Sequence, residues 1–269
     1  MNKPILFLVT ATLILASCKS RQYSRNNKQI EKEANKQTPS FTTYTTTTYI
    51  ETFKGVAVEE MNAYGIPASI TLAQGIIESG SGNSALAKYA NNHFGIKCTS
   101  DWRGKSYYKD DDQSNDCFRV YKDAKESFKD HSTFLKRKRY SFLFELDKND
   151  YKNWALGLKT AGYATNPKYP ELLINVIEKY ALHQYDQSET EKEKINREDR
   201  VFTEINANIP LENKKFAPVG VTDTQYIVKQ GDTLFKIAQL YKLTVDELKT
   251  LNNLIDNNIK IGQKLLVVK

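Results

Sequence analysis

Residues 70–97 read ITLAQGIIESGSGNSALAKYANNHFGIK. The first half of this stretch predicts a helix. Pro67 stands just ahead, at a position favoured where helices begin. Ile70, Ala73 and Ile77 recur at the spacing of one helix face. Gly80 and Gly82 end the helix, because glycine adopts the left-handed backbone of a helix terminus without steric cost. Glu78 therefore falls on the last turn of an apolar helix. A carboxyl there lies near the partial negative charge of the helix C-terminus, which disfavours ionisation, and apolar surroundings act in the same direction. Both effects favour an acid that keeps its proton near neutral pH, as a group that protonates a leaving oxygen must. Periodicity by itself favours a solvated surface glutamate, since most glutamates are exposed.

On either side of this stretch the pattern stays mainly helical. Phe53, Ala57 and Tyr64 mark a preceding helix closed by Gly65, and a short helix follows from Ser84 to Ala90. Between Trp102 and Tyr121 the pattern changes to two strands, Ser106–Lys109 and Cys117–Tyr121, around an Asp-rich turn. Asp123 with Glu126 resembles a capping box opening a helix from Ala124 to Leu135. Tyr151–Ala161, closed by Gly162, and Pro170–Tyr185 complete the set. Helices with one small hairpin predict an α+β fold. Side chains alternate along a strand, so Tyr108, Asp110 and Asp112 are expected on a common face.

Residues 70–97, CFRVYKDAKESFKDHSTFL (117–135) and AGYATNPKYPELLINVIEKY (161–180) occur in this order. Together they resemble the bacterial N-acetylglucosaminidases of glycoside hydrolase family 73, over Tyr49 to Tyr185. The resemblance implies a mainly α, lysozyme-like fold, cleavage of peptidoglycan glycan strands, and Glu78 as general acid. The family places a second carboxylate in the hairpin; relatives carry a Glu after a longer strand, whereas this turn is shorter and Asp-rich. Asp112 is the first candidate and Asp110 the second. Tyr163 matches the family's cleft tyrosine. Asn92 and Phe94 are expected to shape the cleft wall, with Tyr108 and Tyr169 as further substrate contacts. His93 and His131 are read as structural or exposed rather than catalytic. No cofactor is expected, and no metal, because the Asp run lacks the spaced ligands and glycine of an EF-hand loop.

Residues 226–268 carry a β-α-α-β pattern. Y-x-V-x-x-G-D-T-L at the start, L-x-x-L-N in the middle and I-x-I-G-Q-K-L near the end resemble the LysM domain. The resemblance implies binding of N-acetylglucosamine-containing glycans through Gly231, Asp232, Thr233, Leu234 and a turn that includes Asn253 and Ile255.

The N-terminus and the composition bear on compartment and partners. Lys3 precedes an apolar run, Ile5 to Ala16, too short for a membrane helix, which needs about 20 residues, but suited to a signal-peptide core. It ends Leu15-Ala16-Ser17-Cys18, which resembles the bacterial lipobox and implies acylation of Cys18, with Lys19 compatible with outer-membrane sorting. Cys98 and Cys117 then form an even pair in an exported chain, where a disulfide is expected. The 269 residues carry a formal charge of +7, which attracts polyanions without specifying one. Lys136 to Arg139 is the densest basic run, and nucleic acid is not expected as a partner. Sixteen Tyr and twelve Phe suit sugar stacking, although most such rings pack cores. The expected organisation is a signal peptide (1–17), a polar tether (18–48), a glucosaminidase domain (49–186), a charged linker (187–223) and a LysM domain (224–269). The expected protein is a monomeric lipoprotein facing the periplasm and bound to peptidoglycan strands.

Overall fold

The structure, a computed structural model, describes residues 22–207, 225–228, 232, 234–241, 243–255, 259–260 and 262–267. The predicted signal segment, Cys18, Gly231 and Thr233 lie outside these residues. The chain divides into two compact units, Met1–Leu135 with Lys148–Gln187, and Lys136–Asp147 with Ser188–Lys269.

The first unit contains helices α1 (22–37), α2 (Thr46–Tyr64), α3 (Ala68–Ser79), α4 (Ala85–Ala90), α5 (Ala124–Leu135), α6 (Tyr151–Thr160) and α7 (Tyr169–Lys179), with strands β1 (Ser106–Lys109) and β2 (Asp116–Arg119). This is the mainly helical architecture with one small hairpin that the sequence predicts. Helix α3 is central and packs against α2, α6 and α7. Every residue from Ala68 to Ile76 is buried, the polar Ser69, Thr71 and Gln74 included. Pro67 offers no side-chain cap. Asp186 supplies one instead, accepting from the Ser69 backbone N–H at 2.9 Å and from Ser69 Oγ at 2.6 Å. Gly75 lets α2 come close, since a Cβ there would lie 2.5 Å from the Tyr49 hydroxyl.

In the hairpin, β1 runs antiparallel to β2, with Tyr107 opposite Phe118 and Tyr108 opposite Cys117. Lys97 bridges to Phe118 on the other side of β2, and Cys98 N–H donates to the Cys117 carbonyl at 2.8 Å. A disulfide joins Cys98 to Cys117, as the cysteine count predicts.

Two segments read from composition as tether and linker are instead helical. Residues 22–37 form α1, which lies along the hairpin. Ile30 is its one fully buried apolar side chain, packed with Leu86, Ala90, Tyr107 and Phe118, so no apolar stripe advertises the helix. The Thr-rich run that ends the expected tether starts α2, where Thr45 and Thr48 form a reciprocal capping box. In the second unit, residues Glu191–Ala207 form α8. Its buried Ile195, Val201, Phe202 and Ile205 follow helical spacing beneath a strongly charged composition. Arg197, itself buried, donates to Glu189, to the Phe144 carbonyl at 2.8 Å and to the Leu146 carbonyl at 3.3 Å. The same unit holds β3 (Gln225–Ile227), α9 (Leu234–Leu240), α10 (Val245–Asn252) and β4 (Lys264–Leu266), with β3 antiparallel to β4. This is the predicted βααβ order around a core that includes Leu234, Ile237, Leu248 and Leu265.

The two buried histidines of the first unit make stability acid-sensitive. His131 is fully buried, stacks on Phe94 with ring centroids 4.0 Å apart, and has no hydrogen-bond partner on either nitrogen. Desolvation lowers its pKa from 6.5 to about 3, and that of His93 to about 4. The unfolded chain therefore binds more protons than the fold below pH 6.5. The contribution is fully present above pH 6.5 and is lost as pH falls toward 4. At pH 5 the cost is about 2 kcal/mol per histidine. His131→Phe is expected to remove one such share, read as the difference in denaturant midpoint between pH 7.5 and pH 5. An unchanged difference would contradict this account.

Candidate active site

Glu78 lies on the last turn of α3, and Gly80 closes the helix with φ +59°. Ser79 fixes the exit: its hydroxyl donates to the Gly75 carbonyl and accepts from Gly82 N–H at 2.6 Å. Glu78 is an exposed residue, yet protein crowds its carboxyl enough for desolvation to act on it. Tyr169 Oη donates to Glu78 Oε1 at 2.9 Å, and Gln74 Nε2, one turn earlier on α3, donates to Tyr169 Oη at 3.2 Å. Gln74 thereby leaves the phenol proton directed at the carboxylate. Tyr163 stacks on Tyr169, with ring centroids 5.7 Å apart.

The pKa of Glu78 is raised. Desolvation is the largest cause, the hydrogen bond from Tyr169 opposes it, and the negative charge of Asp111 adds to it. Of the hairpin aspartates, Asp111 is the one whose charge adds to this shift. Lys97 Nζ gathers the hairpin carboxylates, 2.9 Å from Asp111, 2.6 Å from Asp112 and 2.8 Å from Asp116. Asp112 points outward, its side chain 85% exposed. Asp110 caps the turn, accepting from Ser114 Oγ at 3.0 Å and Asn115 N–H at 2.7 Å. A lysine ammonium occupies the point among Asp111, Asp112 and Asp116 where a cation would sit.

The remaining wall candidates fall elsewhere. Asn92 is buried, with Nδ2 donating to the Ile96 and Arg119 carbonyls and Oδ1 accepting from Ile96 N–H. Its amide is fully used in tying a loop to β2, and no atom remains for a sugar. Phe94 is buried between His131 and Phe128 and belongs to the core. Tyr108 shares the strand face of Cys117, opposite Tyr107 and Phe118, and Tyr23 of α1 covers its ring at 4.1 Å. The structure brings Glu78, Tyr169 and Tyr163 together, and the charge of Asp111 reaches Glu78.

The glucosaminidase family model, described as mannosyl-glycoprotein endo-β-N-acetylglucosaminidase, matches residues 54–182. This segment is a glucosaminidase-family domain. The LysM domain model matches residues 226–268, so a LysM domain follows it. The chain is 35% identical to an autolysin of Enterococcus faecalis over 75% of its own length and 28% of the relative's. It is 35% identical to an exo-glucosaminidase of Bacillus subtilis over 52% of the chain and 53% of that protein. It is 31% identical to a probable N-acetylmuramidase of Lactococcus lactis over 81% of the chain and 51% of that protein. The chain thus spans about half of these relatives, or less.

Within the glucosaminidase domain, sequence reasoning missed Asp111, Lys97 and Gln74. The alternation argument fails for the Asp run because β1 ends at Lys109; beyond it the chain turns and period two no longer applies. In the LysM domain, Asp232 accepts from Tyr226 Oη at 2.7 Å. Leu234 is a core residue and leaves the list of groove contacts. Asn253 ends α10 in the left-handed conformation, with φ 51°. Ile255 is 92% exposed, an apolar side chain open to a ligand.

Proposed function

We propose that this protein hydrolyses peptidoglycan glycan strands as an endo-β-N-acetylglucosaminidase, held on the wall by its LysM domain. The observation that carries this reading is Glu78 at the end of α3, hydrogen-bonded to Tyr169 and with its pKa raised by desolvation and by the charge of Asp111. Glu78 gives its proton to the glycosidic oxygen as the bond to the anomeric carbon breaks. The sugar leaving on that oxygen departs as an alcohol. A water oxygen completes the anomeric carbon, and its proton passes to a carboxylate. Asp111, held by Lys97, is the group that supports the positive charge developing at the sugar ring or steers the attacking atom. Tyr163, stacked on Tyr169, offers an aromatic surface to a sugar. Exposed Ile255 and Asp232 offer the LysM contacts, and retention on the polymer raises the local concentration of the catalytic domain. The lipobox-like Leu15 to Cys18 supports a lipid anchor and a periplasm-facing, wall-associated location.

Mass spectrometry of sacculi digested by the purified protein tests the bond specificity. New reducing ends are expected on N-acetylglucosamine. Ends on N-acetylmuramic acid, or anhydro ends, would replace this reading with the muramidase activity named for the Lactococcus relative or with a transglycosylase.

A pH prediction follows from Tyr169. Its hydrogen bond stabilises the ionised form of Glu78, so Tyr169→Phe is expected to raise the carboxyl's pKa further. A general acid acts protonated, and the alkaline limb of the rate–pH profile should move to higher pH. A limb that stays in place or moves down would show that Tyr169 does not tune Glu78.

A further inference from the structure

Helix α1 lies outside the segment matched by the glucosaminidase family, which begins at residue 54. Its contacts with the hairpin have a specific form. Asn27 Oδ1 accepts from Tyr108 N–H at 2.9 Å, and Asn27 Nδ2 donates to the Tyr108 carbonyl at 2.6 Å. Asn26 Nδ2 donates to the Ser106 carbonyl at 2.6 Å. Strand β1 has β2 on one side, so these are groups of its other edge. Two amide side chains therefore satisfy backbone positions that a further strand would otherwise pair, which covers a free sheet edge. Asn252 does the same to β4 in the LysM domain, bonding both the N–H and the carbonyl of Leu266. Around this seam Tyr107 Oη donates to Glu31 at 2.8 Å, Lys105 pairs with Glu33, and Tyr23 stacks on Tyr108.

An isolated two-stranded hairpin is marginally stable in water. This one has strands of four residues each and carries the Asp111 turn at its tip. We propose that α1 is a positioning element of the active site, its Asn26 and Asn27 amides locking the outer edge of β1 so that the hairpin holds the turn that carries Asp111 in place. The inference rests on the proposed hydrolase reading for its effect on rate, and on the edge geometry alone for its effect on the hairpin. Misplacement of a reacting group by about 1 Å can cost about a hundredfold in rate, so a loosened hairpin lowers turnover more than substrate affinity.

The test uses the full chain with Asn26→Ala and Asn27→Ala combined, and Asn27→Asp as the graded variant, which keeps the acceptor for Tyr108 N–H and loses the donor. Three readouts are taken: amide hydrogen exchange, kcat and KM on sacculi, and the alkaline limb of kcat. In the double variant, exchange of the β1 and β2 amides should rise about tenfold or more while α3 amides are unchanged. The value of kcat should fall about tenfold with KM within about twofold, and Asn27→Asp should lie between. The groups that act on Glu78 are Tyr169 from α7, through its hydrogen bond, and Asp111 from the hairpin, through its charge. As Asp111 drifts, its pKa-raising effect weakens and the limb should move to lower pH. Unchanged hairpin exchange would overturn the proposal. So would a lowered melting temperature with kcat, KM and pH profile all unchanged, since that is a purely structural role. If the wild type cleaves no wall material, the hydrolase reading fails, and the exchange experiment still decides whether α1 secures the hairpin.

Discussion

Glu78→Gln is expected to lower glycan cleavage by about a thousandfold or more, the upper part of the range for removing a general acid. The substitution is nearly isosteric. The glutamine carbonyl can still accept the Tyr169 hydroxyl, now 2.9 Å from Glu78 Oε1, and the left-handed exit at Gly80 and Gly82 is untouched. What disappears is the proton. Loss of turbidity clearing on purified sacculi, with melting temperature and wall pelleting unchanged, is the expected result. Retention of wall binding is part of the expectation, because the LysM domain at residues 226–268 has its own core. Residual clearing above about a tenth of wild type would mean that another group supplies the proton.

Asp111→Asn carries the second largest effect, a fall in kcat of about a hundredfold, while Asp112→Asn and Asp110→Asn should each stay within about threefold of wild type. The three neighbours differ in what they touch. Asp110 is committed to the turn through Ser114 and Asn115. Asp112 is held by Lys97 at the solvent side. Asp111 shares that lysine, and its charge also reaches Glu78. Lys97 survives the change with two carboxylates left, so the turn keeps its shape and the loss is electrostatic. Measurement of kcat and KM for the three single variants checks the ranking. A larger loss in Asp112→Asn than in Asp111→Asn would return the second carboxylate to the position that strand alternation suggested.

The helices of the glucosaminidase domain were readable wherever apolar spacing and terminal signals agreed. Gly65 and Gly80 close α2 and α3 as left-handed caps, and Asp123 with Glu126 starts α5, the Glu126 N–H donating to Asp123 at 2.9 Å. Glu78 was legible for the same reason, since its place follows from where the helix ends. Helices α1 and α8 were not. The first docks through amides and ion pairs, which leave no apolar period in the sequence. The second hides a buried stripe, with Arg197 and Glu198 buried beside it, inside a composition that reads as solvated. Asn92 and Phe94 were placed in the cleft by resemblance, whereas their roles depend on long-range partners, Arg119 across 27 residues and His131 across the core. Asp111 was invisible because choosing among adjacent aspartates needs the end of β1 to the residue.

The central claim is that the fold raises the pKa of Glu78, because protein crowds its carboxyl and the charge of Asp111 adds to the effect. Carbon-13 NMR titration of the Glu78 side-chain carboxyl, assigned by its absence in Glu78→Gln, measures this directly. The midpoint is expected above the ordinary 4.5, and it should fall when Asp111 is changed to Asn. A midpoint at or below 4.5, indifferent to Asp111, would contradict the account.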